Sequence, residues 1–167
     1  VLDTFCGPMK ELPQEGMLLA VDSLPMMAGG CAANVAIDLR KQDVAVDIAG
    51  CLGTDSSAQV LLANLGEHQV GCDRIVYSTE LPTSKTVILL VEEEDRRYIH
   101  SFGANAAFTV GYLDRHWVQS LKVLYIGGLY LMPSFHMDEL FTLLEFCREN
   151  QVISVVDVVI PQNTQEI

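Results

Sequence analysis

The sequence predicts an α/β fold in which a mainly parallel sheet is flanked by helices. Short runs rich in valine and isoleucine, at 46–51, 123–126 and 153–158, have the length and composition of buried strands. Segments with apolar residues at helical spacing alternate with these runs, which is typical of a sheet whose crossovers are helices. The segment 86–102 differs, because two apolar stretches flank a charged centre, and it predicts a β-hairpin with a solvated tip.

Three segments, around 32–39, 58–65 and 134–149, repeat apolar residues at the spacing of a helix. Side chains that accept hydrogen bonds commonly begin helices, and glycine or asparagine commonly ends them. The expected end residues are Thr54 or Asp55 and Gly66 for the second helix, and Ser134 and Asn150 for the third.

Strand-like texture before the first helix, together with the hairpin, predicts further strands around 14–27 and 84–102. The opening residues up to Asp3 have the character of the end of an apolar strand. The chain stops at Ile167, soon after its last predicted strand, where a doubly wound fold would continue into a helix. We therefore expect residues 1–167 to be a segment of one α/β domain, truncated at both ends.

Composition narrows the function classes. The chain has 167 residues, 50% of them apolar, which is enough for one domain with a sizeable core. A net charge of −12 with only ten Lys and Arg argues against a nucleic-acid-binding surface. No apolar run approaches the roughly 20 residues that cross a bilayer, so we expect no membrane segment. Five widely spaced cysteines without a C-x-x-C pair indicate neither a zinc site nor a disulfide framework, and favour a cytoplasmic location.

Gly29 and Gly30 stand directly before an amphipathic helix that we expect to carry Asn34 on its buried side. Glycine lacks a Cβ, so a ligand can approach its backbone closely, and the free amides at the start of a helix favour oxygen-rich ligands. Cys31 lies in the same motif. We expect it to pack as a small residue rather than to act as a nucleophile, although a helix N-terminus is a position that lowers a thiol pKa.

Several motifs follow one another in a recognisable order. They are Asp3 after the first strand, Gly29 and Gly30 with Asn34 four residues later, G-x-x-G-x-D at 50–55, P-T-S-K-T at 82–86, and G-A-N at 103–105 with a hydrophobic residue and threonine at 108–109. The set covers essentially the whole chain and resembles the ribokinase-like (PfkB) family of carbohydrate and nucleoside kinases. That resemblance implies that residues 1–167 are the N-terminal part of one ribokinase-like α/β domain. It also implies that the strands around 14–27 and 84–102 form a small β lid that covers the substrate.

The same resemblance implies an ATP-dependent, Mg²⁺-assisted kinase that phosphorylates a hydroxyl of a sugar, sugar acid or nucleoside. The implied substrate-binding residues are Asp3, Gly29, Gly30, Asn34 and Asn105. The family's catalytic aspartate, in a G-A-G-D motif, belongs to the C-terminal half and is absent from this sequence, so no catalytic or metal residue is assigned here. The resemblance also implies a homodimer in which two copies pair through their lid sheets.

Two other functions remain open. The first is a non-catalytic sugar- or nucleoside-binding protein of the same fold. The second is another doubly wound domain in which the Gly29-Gly30 loop holds phosphate, although no P-loop or G-x-G-x-x-G motif occurs. The four histidines have no metal-ligand spacing. The N-x-x-E spacing at 163–166, which the family links to Mg²⁺, follows the last strand too closely, and we treat it as a chance match.

Overall fold

Strands and helices alternate along residues 1–160, which are the part of the chain that the computed structural model describes. The strands are β1 Leu2–Met9, β2 Met26–Ala28, β3 Asp47–Gly53, β4 Gly71–Ser78, β5 Lys85–Val91, β6 Arg97–Ser101, β7 Val123–Ile126 and β8 Ile153–Val156. The α-helices are α1 Cys31–Arg40, α2 Ser56–Glu67, α3 Arg115–Ser120 and α4 Met137–Glu149. Short 3₁₀ helices cover Gly103–Ala107, Val110–Tyr112 and Leu129–Leu131. The N-x-x-E spacing at 163–166 lies outside the described residues.

The strands pair in three groups. A four-stranded sheet has the order β2-β1-β5-β6, and the pairs β3-β4 and β7-β8 are both parallel. In the four-stranded sheet, β1 and β5 run parallel at the centre, and β2 and β6 flank them in the antiparallel sense. The predicted α/β class is therefore confirmed, and the predicted hairpin forms β5 and β6. We call the four-stranded sheet the lid sheet.

Two apolar cores support these layers. One lies between the first two helices and β3-β4, where Ala36, Leu61 and Leu65 are buried. The other lies around α3, α4 and β7, and includes Val118 and Leu143. Gly29 and Gly30 therefore lie at the N-terminus of α1, a helix whose apolar side packs in a core.

The helix boundaries agree with the prediction at some ends and differ at others. Asp55 is the N-cap of α2, and its carboxylate accepts the Ala58 N–H. However, α2 passes through Gly66, and the left-handed residue after its end is Gln69. His136, not Ser134, precedes α4, since the Ser134 hydroxyl instead donates to the Ala106 carbonyl.

The lid differs most from its prediction. The strand that contains Asp3 begins at Leu2 and continues to Met9, because β1 extends along β5; Asp3 therefore lies near its start and not at its end. In the expected lid segment 14–27, strand pairing is confined to its end, from Met26. Strand β4 was not predicted. Within residues 1–160, no helix is long and apolar enough to span a membrane.

Candidate functional site

The loop between β2 and α1 lies directly against β1. The Gly29 N–H donates to the Val1 carbonyl at 3.0 Å, and a Cβ at position 29 would overlap the carboxylate of Asp3. Gly30 is the N-cap of α1 with φ 84°, a backbone conformation that glycine adopts without strain. Glycine at position 29 thus allows the chain to approach Asp3 at backbone distance, and the positive φ of Gly30 then starts α1 beside it.

Asp3 is half-buried on the central strand of the lid sheet. Burial raises the pKa of its carboxyl group, while a hydrogen bond with the Thr86 hydroxyl and the nearby His100 act in the opposite direction. A partly desolvated carboxylate that has few protein partners is suited to binding the hydroxyl groups of a ligand.

Thr86 and His100 extend a polar row from Asp3 across three strands. Asp3 pairs with Thr86 between β1 and β5, and Thr86 pairs with His100 between β5 and β6. Side chains of cross-strand partners lie on the same face of a sheet. Thr86 Oγ1 lies 3.1 Å from His100 Nδ1, and Thr86 is only 8% exposed.

Sequence reasoning missed the roles of Thr86 and His100, although a partial signal for their pairing was present. The predicted hairpin 86–102 places Thr86 on one strand and His100 on the other, but its charged run 92–97 is centred between residues 94 and 95, whereas the observed pairing is centred at residue 93. The link from Thr86 to Asp3 had no such local signal, because β1 and β5 are far apart in sequence.

Asn34 is exposed, which corrects the expectation that it lies on the buried side of α1. The helix instead buries Ala33, Ala36 and Ile37, so position 34 shares the outer face with Asp38 one turn later. Asn34 lines a surface depression of about 390 Å³, together with residues of α2. The structure thus brings Asp3 together with Gly29 and Gly30, and places Asn34 on the neighbouring turn of α1.

Asn105 lies in the 3₁₀ helix Gly103–Ala107 and is partly buried. Its φ is not positive, so it is not the left-handed loop residue that asparagine often is. The G-A-N run instead packs on the segment before the lid hairpin, where the Ala104 N–H donates to the Pro82 carbonyl at 2.7 Å. Among the hydrogen bonds of residues 1–160, none joins this run to Asp3, Thr86 or His100.

A second cluster lies at the carboxyl ends of the parallel strands β7 and β8. The Tyr125 hydroxyl donates to Asp157 Oδ2 at 3.1 Å, and the thiol of Cys31, the first residue of α1, also hydrogen-bonds to this carboxylate. These bonds lower the pKa of Asp157. Burial, together with the hydrogen bond to Asp157, raises the pKa of Tyr125 to about 12. Asp157 therefore connects the edge of this strand pair to the start of the helix that bears the glycine motif.

Burial and Asp157 together raise the pKa of Cys31 to about 11. The expected packing role of Cys31 thus agrees with the structure, while the lowering of its pKa by the helix N-terminus is outweighed. Asp157 was missed because the sequence shows only an aspartate after a strand, and its two partners are distant in the chain.

Comparison with known proteins decides the family. The model of the "pfkB family carbohydrate kinase" matches residues 4–166. The chain belongs to the pfkB family. The match begins one residue after Asp3, so the placement of this carboxylate rests on the geometry described above. No curated protein sequence matches the chain.

Solved structures of a fructokinase and of a ribokinase share the fold. A fructokinase from Xylella fastidiosa has a TM-score of 0.78 at 20% identity, covering 99% of this chain and 53% of that one. A ribokinase of Arabidopsis thaliana, solved with ribose and ATP, has a TM-score of 0.73 at 20% identity, covering 94% of this chain and 50% of that one. The pfkB-family chain thus spans about half the length of these structures.

Possible metal-ligating side chains do not cluster in residues 1–160 of this pfkB-family chain. In that range, no group of three His, Cys, Asp or Glu side chains is arranged to hold a metal ion. A cavity of about 480 Å³ beside α4 is lined by residues such as Val110, Arg115 and Thr142, and by none of the predicted site residues.

Proposed function

We propose that this chain supplies the sugar-binding part of an ATP-dependent kinase that phosphorylates a hydroxyl of a sugar, sugar acid or nucleoside. The observation that carries the proposal is the Asp3 carboxylate packed against Gly29 at the start of α1. A carboxylate accepts hydrogen bonds from two adjacent hydroxyls, and the amides of the first helical turn accommodate further oxygens. Membership of the pfkB family supports phosphoryl transfer as the reaction.

In this proposal each predicted residue has a distinct task. Asp3 binds and orients the sugar, and Gly29 and Gly30 let the sugar lie against the main chain. Asn34 and Asn105 contribute amide groups that both donate and accept hydrogen bonds. The lid sheet excludes water, which favours attack on ATP by the sugar hydroxyl over attack by solvent.

Residues 1–160 do not provide a complete Mg²⁺ site or a general base in this proposal. ATP would supply the phosphoryl group, and Mg²⁺ would neutralise its charge during transfer. We therefore assign nucleotide binding and proton removal to other parts of the protein, and binding and orientation of the sugar to this chain.

We also propose that two copies associate through the lid sheet. Met26, Val87 and Ile99 lie on the face of the sheet opposite Asp3, and they are 53%, 37% and 62% exposed. Native mass spectrometry tests this proposal: Ile99→Glu should shift a dimer towards monomer. Tyr112→Glu, which changes an exposed aromatic residue outside the lid, should not. Observation of a monomer alone for the unmodified protein would contradict the proposal.

A cytoplasmic location is part of the same proposal. All five cysteines are free; two of them are buried and three are partly exposed. Free thiols are the usual state in a reducing compartment. Fractionation of the cells that naturally produce the protein tests this location: the protein should be recovered in the cytoplasmic fraction.

The function is tested by measuring ADP release from ATP and Mg²⁺ by the whole protein that carries residues 1–167. D-fructose, D-ribose, adenosine and 2-keto-3-deoxygluconate represent the substrate classes. ADP release that depends on one of these compounds supports the kinase. Binding of one without ADP release favours the non-catalytic sugar-binding alternative, and the absence of both overturns the proposal.

A further inference from the structure

His100 carries a nitrogen that the proposed function does not yet use. Its Nδ1 contacts the Thr86 hydroxyl, but its Nε2 is buried and has no hydrogen-bond partner among residues 1–160. Buried polar atoms in native proteins nearly always have a partner, so an unpaired one calls for an explanation. The imidazole lies in the same cross-strand row as Asp3 and on the same face of the lid sheet.

The hydrogen-bond chain fixes which nitrogen carries the proton. Asp3 as a carboxylate can only accept, so Thr86 donates its single hydroxyl hydrogen to Asp3. Thr86 Oγ1 must then accept from His100 Nδ1–H. Burial lowers the pKa of His100 and so favours the neutral ring. In the neutral ring with Nδ1 protonated, Nε2 has a lone pair and acts as an acceptor.

The orientation of the ring is set from two sides. Thr86 holds Nδ1, and the ring of Phe102 packs edge-on against the imidazole with 5.2 Å between the ring centroids. A fixed ring presents its free acceptor in one direction, which is the property needed to discriminate between ligands.

We propose that His100 is a specificity-determining residue whose Nε2 accepts a hydrogen bond from one hydroxyl of the sugar, beside the hydroxyls that Asp3 binds. This inference rests on the proposed function of the Asp3 site. Two neighbouring acceptors favour a ligand that presents hydroxyl hydrogens and disfavour a carboxylate at the same place. The substrate class is thereby narrowed to neutral sugars and nucleosides, to the exclusion of sugar acids that place their carboxylate here.

Two variants separate the contacts of the two nitrogens. His100→Asn keeps an amide donor near the position of Nδ1, which preserves the contact with Thr86, and has no atom at the position of Nε2. His100→Gln extends its amide one carbon further and places an acceptor near Nε2. Calorimetry with the whole protein would measure binding of D-fructose, D-ribose and their monodeoxy analogues to the unmodified protein and to both variants.

If the inference is correct, His100→Asn weakens binding of the parent sugar by roughly tenfold, while His100→Gln stays within roughly threefold of the unmodified protein. One monodeoxy analogue, which lacks the contacted hydroxyl, should bind equally to the unmodified protein and to His100→Asn. An unchanged affinity of His100→Asn for the parent sugar overturns this inference but leaves the proposed function standing. An equal loss for every analogue also overturns it, because that pattern indicates a purely structural role. Failure of the unmodified protein to bind either sugar overturns the proposed function, and the inference with it.

Discussion

Thr83 and Asp55 are joined by two hydrogen bonds between distant parts of the chain. The Thr83 hydroxyl donates to Asp55 Oδ1 at 2.7 Å, and the Thr83 N–H donates to Oδ2 at 3.0 Å. The same carboxylate caps α2, and the Thr83 hydroxyl also accepts the Gly53 N–H at 3.1 Å. The two motifs at 50–55 and 82–86 therefore form one junction that holds the lid hairpin on the α/β core.

Removal of the Asp55 carboxylate should destabilise the protein more than removal of an ordinary helix cap. Asp55→Ala loses the cap of α2 and both bonds to Thr83, and we expect the free energy of unfolding to fall by about 2 kcal/mol. Asp114→Ala, which removes only the exposed cap of α3, should cost about 1 kcal/mol. Urea unfolding measures both, and equal losses would contradict the junction.

The contribution of Asp55 should depend on pH. Although its burial acts to raise the pKa, the bonds from Thr83 and Ala58 outweigh that effect, and the pKa of Asp55 is lowered. A lowered pKa stabilises the fold above the unfolded value near 3.9 and loses that stabilisation as the pH falls through the folded value. The difference in stability between the unmodified protein and Asp55→Ala should therefore shrink in acid. A difference that grows below pH 4 would contradict the assignment.

The contribution of Asp3 to stability should depend on pH in the opposite sense to that of Asp55. Burial raises its pKa, so the ionised carboxylate destabilises the fold above the folded pKa, and this penalty disappears below the unfolded pKa. Asp3→Asn should therefore raise the melting temperature at pH 7 and have less effect in acid. Differential scanning calorimetry at several pH values checks this; a lower melting temperature at pH 7 would show that the carboxylate stabilises the fold.

A side chain at position 29 should displace the Asp3 carboxylate. In Gly29→Ala the added methyl group overlaps the Asp3 carboxylate, and we expect the free energy of unfolding to fall by about 1–3 kcal/mol together with sugar affinity. Gly66→Ala is the matched control, since nothing lies within 4 Å of its added Cβ inside α2. That substitution should stabilise the helix by about 0.5–1 kcal/mol. Equal effects of the two substitutions on stability would contradict the close approach.

Asp157 should suppress the reactivity of Cys31. Because the carboxylate contributes to the raised pKa of the thiol, Asp157→Asn should increase the thiolate fraction and the rate of alkylation by iodoacetamide at pH 8.5. Asp138→Asn, in the first turn of α4, should leave the rate unchanged. Peptide mass spectrometry after timed labelling gives both rates. An unchanged alkylation rate in Asp157→Asn would show that the carboxylate does not influence the reactivity of the thiol.

Local patterns predicted the elements whose signals are local. Helices α1 and α2 follow from apolar residues at helical spacing, and the lid hairpin from two apolar stretches around a charged tip. The strand β4 was missed because Asp73 and Arg74 interrupt its apolar sequence, and its identity as a strand depends on pairing with β3. Conversely, the apolar residues Met17 and Leu18 are 67% and 89% exposed in a segment without strand pairing, since hydrophobicity alone does not provide a partner strand.

The candidate site shows the same division. Gly29, Gly30 and Asn34 were predicted together because they are close in sequence, yet the exposed position of Asn34 depended on which face α1 buries. Thr86 and His100 join Asp3 only through the parallel pairing of β1 with β5. The link from Asp157 to Cys31 likewise depends on where β8 ends relative to α1. Such contacts are properties of the topology, and a single sequence carries no direct record of them.

The most direct test of the account is calorimetric titration of the whole protein with D-fructose and D-ribose, comparing Asp3→Asn with Asp73→Asn. Asp73 is an exposed carboxylate on β4 and serves as the matched control. We predict that one of the sugars binds, that Asp73→Asn leaves its affinity unchanged, and that Asp3→Asn weakens it by roughly a hundredfold, since a charged hydrogen-bond acceptor for the sugar hydroxyls is lost. Equal affinity of the two variants would show that Asp3 does not bind the sugar.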